Sequence, residues 1–327
     1  MWFQYGLEHA EIPSNVPVGL TIGAFDGVHL GHQTLIRRMV AGAHAAGYRA
    51  IVLTFDPLPR QFFRPGEPTL LSSLDERLTY LRPLGVDGVI VHPFDAQTVA
   101  RSAQDFITAL TQSLWLRGLW IGADFTLGHA REGDVTFLRQ AGQRLGFTVH
   151  TLTEATVWGG AAVHSSRIRH ALRAGYVTEA RACLGRPYML SGTVGHGEQR
   201  GRTLGFPTAN LDVPISRLRP ANGVYITHVH LPHGTFRAIT NVGIRPTFNH
   251  RPPTVEAYIL DFSDDIYDAP MQVDFLHRLR PEVQFPSADA LITQMRRDEA
   301  DTRAWFATNA VDLQHGSVAV EYMADRF

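Results

Sequence analysis

The sequence predicts an α/β chain in two parts: a parallel sheet with helices, followed by a small antiparallel β-barrel with a C-terminal helix. Three observations carry that expectation. Up to residue 184, short apolar runs alternate with segments of helical periodicity; beyond residue 187, short β-branched and aromatic runs follow one another with only turns between them. Between the two regimes stands Gly185-Arg186-Pro187, a helix stop followed by an extended residue. The expected domains are therefore 1–185 and 186–327.

In the first part, residues 18–23, 50–55, 86–91, 119–121 and 148–152 read as strands. Residues 32–46, 75–84, 105–114 and 135–145 carry apolar side chains at helical spacing, and 165–174 and 178–184 read as two closing helices. Apolar strands spaced by helices are the pattern of a parallel sheet with right-handed crossovers. In the second part, residues 188–194, 224–231, 236–242, 255–262 and 271–279 read as strands, separated by turns such as Pro232-His233-Gly234. One amphipathic helix follows over 287–306, with Ser287 as its N-cap.

Of the 327 residues, all 30 basic ones are arginine. Without lysine, a Walker A loop and Schiff-base chemistry are excluded, so any phosphate must be held by Arg, His, backbone N–H groups and metal. A net charge of −1 offers no field to attract nucleic acid. The single cysteine, Cys183, excludes an intramolecular disulfide framework and a CxxC metal site, as expected of a cytoplasmic protein. The N-terminal residues lack the basic and apolar regions of a leader peptide. No stretch reaches the ~18 apolar residues of a membrane span, so no membrane partner is expected. Oligomeric state stays open, a homo-oligomer included.

The segment Gly23-Ala24-Phe25-Asp26-Gly27-Val28-His29-Leu30-Gly31-His32 follows the first strand and opens the first helix. Ligands of open α/β sheets sit at such turns, and a helix N-terminus offers free N–H groups to an anion. Two imidazoles three residues apart can donate to the same phosphate, with Gly31 letting a nucleotide approach the backbone. The competing reading is a metal pair or a surface cluster, since chance HxxH pairs are common among 16 histidines.

GAFDGVHLGH resembles the nucleotidylyltransferase superfamily and, more narrowly, the bacterial bifunctional riboflavin kinase/FAD synthetase family. Thr54-Phe55-Asp56-Pro57-Leu58-Pro59, Ile121-Gly122-Ala123-Asp124-Phe125-Thr126-Leu127-Gly128 and Val163-His164-Ser165-Ser166-Arg167-Ile168-Arg169 continue the match in family order. The resemblance implies a Rossmann-like domain that adenylylates FMN to FAD and releases pyrophosphate. It implies nucleotide contacts from Gly23, Phe25, Asp26, Gly31, Ser165 and Ser166, and charge neutralisation by His29, His32, Arg169 and Mg²⁺. Asp56, Asp124 and Phe125 are expected to line the flavin, while Arg167 reads as a helix-face charge. The sequence departs from the family at Ala24, Leu58, Leu127 and His164.

Gly192, Gly195, Gly197, Gly201 and Gly205 precede Phe206-Pro207-Thr208-Ala209-Asn210. Alone, the glycines read equally as a hairpin between barrel strands or as phosphate-binding nests. A glycine-rich loop running into Pro-Thr-Ala-Asn resembles riboflavin kinase, and 241–247 and 255–258 extend the resemblance. It implies that Gly192, Gly197 and Gly201 meet ATP, that Thr208 and Asn210 meet Mg²⁺ and the phosphates, and that Glu256 accepts the proton of the ribityl 5′-hydroxyl. Arg280 and Phe285 are assigned to the flavin or lid region. Asp268 stands where the family has glycine. The resulting expectation is an ATP-dependent enzyme that converts riboflavin to FMN and FMN to FAD. The alternatives are a chain with one active half and one flavin- or nucleotide-binding scaffold, or a regulatory module on an inactive fold.

Overall fold

The structure, a computed structural model, describes residues 1–7, 12–197, 205–243 and 253–309. Packing divides them at Ser165/Ser166 into two compact units.

The first unit carries six strands: β1 (Trp2–Tyr5), β2 (Pro17–Ile22), β3 (Arg49–Asp56), β4 (Gly88–Pro93), β5 (Trp115–Gly122) and β6 (Thr148–Leu152). They form one sheet in the order β1-β4-β3-β2-β5-β6, and every pair is parallel, as expected. The helices that cover it are α1 (Leu30–Ala45), α2 (Pro59–Phe63), α3 (Leu74–Leu81), α4 (Ala96–Ala100), α5 (Ala103–Ser113) and α6 (Val135–Leu145). Strand β3 shows why these strands read as unbroken apolar runs. Ile51 and Leu53 pack into a core with Phe106, Ile107, Leu110 and Leu138, whereas Ala50 and Val52 pack into another with Ile36, Met39 and Ala43. Chain order reverses between β2 and β5, which puts a ligand-binding crevice at their carboxyl ends.

The short helices α2 and α4, a first strand and a small hairpin of this unit were not expected. Strand β1 adds Trp2, Phe3 and Tyr5 to the sheet edge beside β4. A hairpin of β7 (Val157–Trp158) and β8 (Ala161–Ala162) turns on Gly159 and Gly160, at φ 57° and 78°.

Helix α7 (Ser165–Ala174) enters the second unit from its second residue, followed by α8 (Val177–Leu184), β9 (Tyr188–Gly195), β10 (Ala209–Asp212), β11 (Gly223–Leu231), β12 (Gly234–Gly243), β13 (Thr254–Ile259) and β14 (Pro270–Arg280). The strands close into an antiparallel barrel in the order β10-β13-β12-β11-β14-β9. The two helices are fastened to it: Ala221 N donates to Leu172 O (2.9 Å) and Arg278 Nη1 to Ala174 O (3.3 Å). Helix α9 (Ala288–Thr308) starts where expected, with Ser287 Oγ accepting from Ala290 N at 3.2 Å.

His228 of β11 is buried and stacks on Phe306 of α9, with ring centroids 5.2 Å apart. Burial, reinforced by nearby His230, Arg237 and Arg181, lowers its pKa to about 4. The unfolded chain takes up this proton near pH 6.5. Stability is therefore present in full above about 6.5 and lost as the pH falls towards 4. The shift corresponds to about 3 kcal/mol. Between pH 7 and 5, the barrel should lose about 2 kcal/mol more in wild type than in His228→Phe, as measured by denaturant unfolding at both pH values. An identical pH dependence in both would contradict this account.

Candidate active sites

In the first unit, the loop after β2 has an unusual backbone. Phe25 (φ 46°), Gly27 (φ 75°) and Val28 (φ 38°) all lie in the left-handed region, which is costly for a β-branched residue. Long-range bonds hold it there. The buried Asp26 carboxylate accepts from Leu71 N (3.0 Å) and Ser72 N (3.0 Å), and Gly27 N donates to Ser72 Oγ (2.9 Å). Asp26 thereby fastens the loop.

The loop delivers His29 as the N-cap of α1, where its Nδ1 accepts from His32 N at 3.3 Å. In the neutral ring the proton then sits on Nε2, which is left as a donor. The two imidazoles stack with centroids 3.6 Å apart, and Phe25 meets His32 edge-on at 5.2 Å. No acidic residue occupies the first turn of α1, so its positive end stays available to an anion. Gly31 is required by close approach: a Cβ there would lie 3.2 Å from the His29 ring and 3.2 Å from Val163 O. Gly23 is likewise covered by the Phe25 ring. Ser165 Oγ donates to Asp26 O (3.3 Å), which joins the HSSRIR segment to the loop. One turn further along α7 lies the buried Arg169, while Ser166 is exposed. Arg167 pairs with Glu179 of α8 at 2.8 Å, the helix-face role expected of it.

At the end of β3, Asp56 is half-buried; burial raises its carboxyl pKa and Arg77 partly offsets this. Beside it stands an aromatic wall that the sequence reading missed. Phe94 meets Phe55, Phe62 and Phe63 edge-on at 5.5, 5.7 and 5.9 Å, and Phe63 is 62 % exposed. At the end of β5, Asp124 is exposed and Phe125 is half-buried against the core. Leu58 is buried, with its N–H donating to Gln61 Oε1 at 2.8 Å.

In the second unit, strand register assembles a row that no local pattern encodes. Asn210 of β10 lies directly opposite Glu256 of β13, which lies opposite Asn241 of β12. Directly opposed residues project on one side of a sheet, with Cβ atoms roughly 5 Å apart. The half-buried Glu256 therefore stands between two amides. On its other side Asn210 faces Gly195, and its amide lies against Gly197 so closely that any side chain there would collide. Gly192 is required in the same way by Asp212 O. These glycines let β9 and the chain after it approach β10. Gly201 lies outside the described residues.

Thr208 and Asn210 line a cavity of about 320 Å³, together with Gly197, Asp264, Asp265 and Tyr267. The lining residue Tyr267 stacks on His196 at 4.2 Å, and Asp268, which follows it, has φ 59°. Asp adopts the left-handed region more readily than most residues. Arg280 holds the Asp298 carboxylate through its Nε and Nη2 at 3.0 and 2.8 Å, and its guanidinium lies over Phe285. It locks the end of β14 to α9.

Both halves match known families, in the order that the folds lead one to expect. The FAD synthetase family model matches residues 12–167 and the riboflavin kinase family model residues 184–306. The bifunctional riboflavin kinase/FMN adenylyltransferase of Haemophilus influenzae is 38% identical over 290 residues, 88% of this chain and 94% of the relative. The chain belongs to the bifunctional riboflavin kinase/FAD synthetase family. The namesake of Escherichia coli K12 is also 38% identical, over 291 residues, 88% of this chain and 92% of that protein. A solved structure described as a macrolide-efflux protein from Streptococcus pneumoniae superposes with a TM-score of 0.83 at 31% identity, covering 93% of this chain and 99% of that one. Among the described residues, no helix is long and apolar enough to cross a membrane.

Proposed function

We propose that the second unit phosphorylates riboflavin to FMN and that the HxGH site adenylylates FMN to FAD. The observation that supports both steps at once is that each constellation is assembled separately, the stacked imidazoles at the start of α1 and the Asn–Glu–Asn row across the barrel. The division of labour runs 1–185 and 186–327.

In adenylyl transfer, an FMN phosphate oxygen attacks the α-phosphorus of ATP and pyrophosphate leaves. Both partners are anions, so positioning and charge neutralisation carry the reaction. His29 donates from Nε2, His32 lies stacked beside it, the α1 N-terminus adds its N–H groups, and Arg169 supplies the cation. Gly23 and Gly31 admit the nucleotide, Phe25 and Asp26 hold the loop, and Ser165 and Ser166 provide hydroxyls. The isoalloxazine rests on the wall of Phe55, Phe62 and Phe94, with Asp56, Asp124 and Phe125 around it.

In the kinase reaction, the Glu256 carboxylate accepts the proton of the ribityl 5′-hydroxyl as that oxygen attacks the γ-phosphorus of ATP, the bond to the β,γ-bridging oxygen breaks and ADP leaves. Gly192 and Gly197 shape the nucleotide loop, and Arg280 acts on the flavin side by fixing the end of β14. Hydroxyl, amide and carboxylate oxygens surround the cavity, donors suited to a hard cation. Among the described residues, no group of three or more His, Cys, Asp or Glu side chains could hold a metal on its own. Thr208 and Asn210 would therefore hold Mg²⁺ jointly with nucleotide phosphates, where it supplies neutralisation of developing phosphate charge. We place the protein in the cytoplasm, where ATP is available and its single thiol stays reduced.

The test is direct: the purified chain is incubated with riboflavin, ATP and Mg²⁺, and the flavins are resolved chromatographically. FMN should accumulate first and FAD should follow, with pyrophosphate released. Unchanged riboflavin would contradict the proposal.

A further inference from the structure

Arg77, on the buried face of α3, is 1 % exposed and is the largest fully buried side chain among the described residues. Three acceptors converge on its Nη1: Ala24 O (3.1 Å), Thr54 Oγ1 (2.9 Å) and Phe55 O (2.9 Å). Ala24 belongs to the loop that carries His29 and His32, whereas Thr54 and Phe55 belong to the end of β3, which carries Asp56 and leads to the aromatic wall. Thr54 Oγ1 also donates to Ala24 O at 3.2 Å, so one guanidinium and one hydroxyl tie the two segments together.

We infer that Arg77 is a positioning residue for adenylyl transfer, holding the flavin side and the nucleotide side of the first site in one fixed relation so that the two substrates meet in line. This rests on the assignment of FMN adenylylation to that site. Core packing alone does not call for an arginine here. A buried guanidinium carries a desolvation penalty that an apolar side chain of similar volume avoids. Burial lowers the Arg77 pKa, and the charges of Asp26, Asp56 and Tyr5 work against that shift. The strained backbone at Phe25 and Val28 persists only where surrounding bonds over-determine it. Arg77 supplies one of those bonds and, together with the Thr54 hydroxyl, carries it across to the flavin side.

The test compares Arg77→Met, Arg77→Lys and Thr54→Val in the full chain, with riboflavin phosphorylation by the same preparation as an internal control for folding. Arg77→Met should lower kcat for FMN adenylylation roughly 10- to 100-fold. The KM values for FMN and ATP should move less than about threefold, because alignment and not binding is lost. Arg77→Lys should recover most of the rate, since one ammonium offers three donors to the same three acceptors. Thr54→Val should show a smaller loss in kcat, and it decides the matter if Arg77→Met fails to fold. Wild-type turnover in Arg77→Met or, where that variant does not fold, in Thr54→Val would overturn the inference. So would equal losses in the Met and Lys variants, or a rise in both KM values at unchanged kcat. Absence of FAD formation by the wild type would instead overturn the functional assignment on which the inference rests.

Discussion

Replacing His29 and His32 together with alanine should abolish conversion of FMN to FAD and leave the phosphorylation of riboflavin at its wild-type rate. The two rings act as a unit. His29 Nδ1 is occupied in capping α1, which orients Nε2, and the stack with His32 at 3.6 Å fixes the second ring against the first. Neither imidazole is needed as a nucleophile, because the FMN phosphate supplies one. In the proposed mechanism they donate hydrogen bonds to charge that develops on the triphosphate, where removing one donor commonly costs on the order of 10²–10³ in rate. Alanine also removes the side-chain cap of α1, a loss of about 1 kcal/mol that a folded domain tolerates. The measurement is FAD formation from supplied FMN and ATP, alongside FMN formation from riboflavin.

Glu256→Gln should produce the opposite pattern. Glutamine keeps the size of the side chain, and the register of β10, β13 and β12 is held by backbone pairing that the substitution leaves in place. Glutamine cannot accept the proton of the attacking hydroxyl. General-base catalysis of this kind contributes roughly 10²–10⁴ in rate. Riboflavin phosphorylation should fall by that order, while adenylylation of supplied FMN continues unchanged. Retention of full kinase activity would assign Glu256 to the strand face alone.

The parts of these sites that were legible in the sequence are those whose logic is local. A strand, a tight turn and a helix start within about a dozen residues place His29 and His32 without reference to the rest of the chain. Ser287 announces α9 for the same reason. The roles that were not legible depend on partners far away. Asp26 binds the backbone of Leu71 and Ser72, 45 and 46 residues on, so nothing beside it marks the carboxylate as a loop fastener. Nothing in the local sequence singles out Arg77, which faces inward and bonds the carbonyls of Ala24 and Phe55. Arg280 reads as a candidate ligand contact and is held by Asp298. The Asn–Glu–Asn row exists only because three strands, distant in sequence, adopt one register. Strand β10 was missed because it is only four residues long and follows a proline. The absence of lysine also finds its place, since both sites rely on imidazole, guanidinium, hydroxyl, amide and backbone groups.

The central claim is that one chain holds two separate active sites for successive reactions. It is tested most directly by measuring both half-reactions on the paired variants, riboflavin to FMN and FMN to FAD. The account predicts that the His29→Ala/His32→Ala variant retains only the first and that Glu256→Gln retains only the second. Loss of both activities in either variant, with its fold intact, would contradict it.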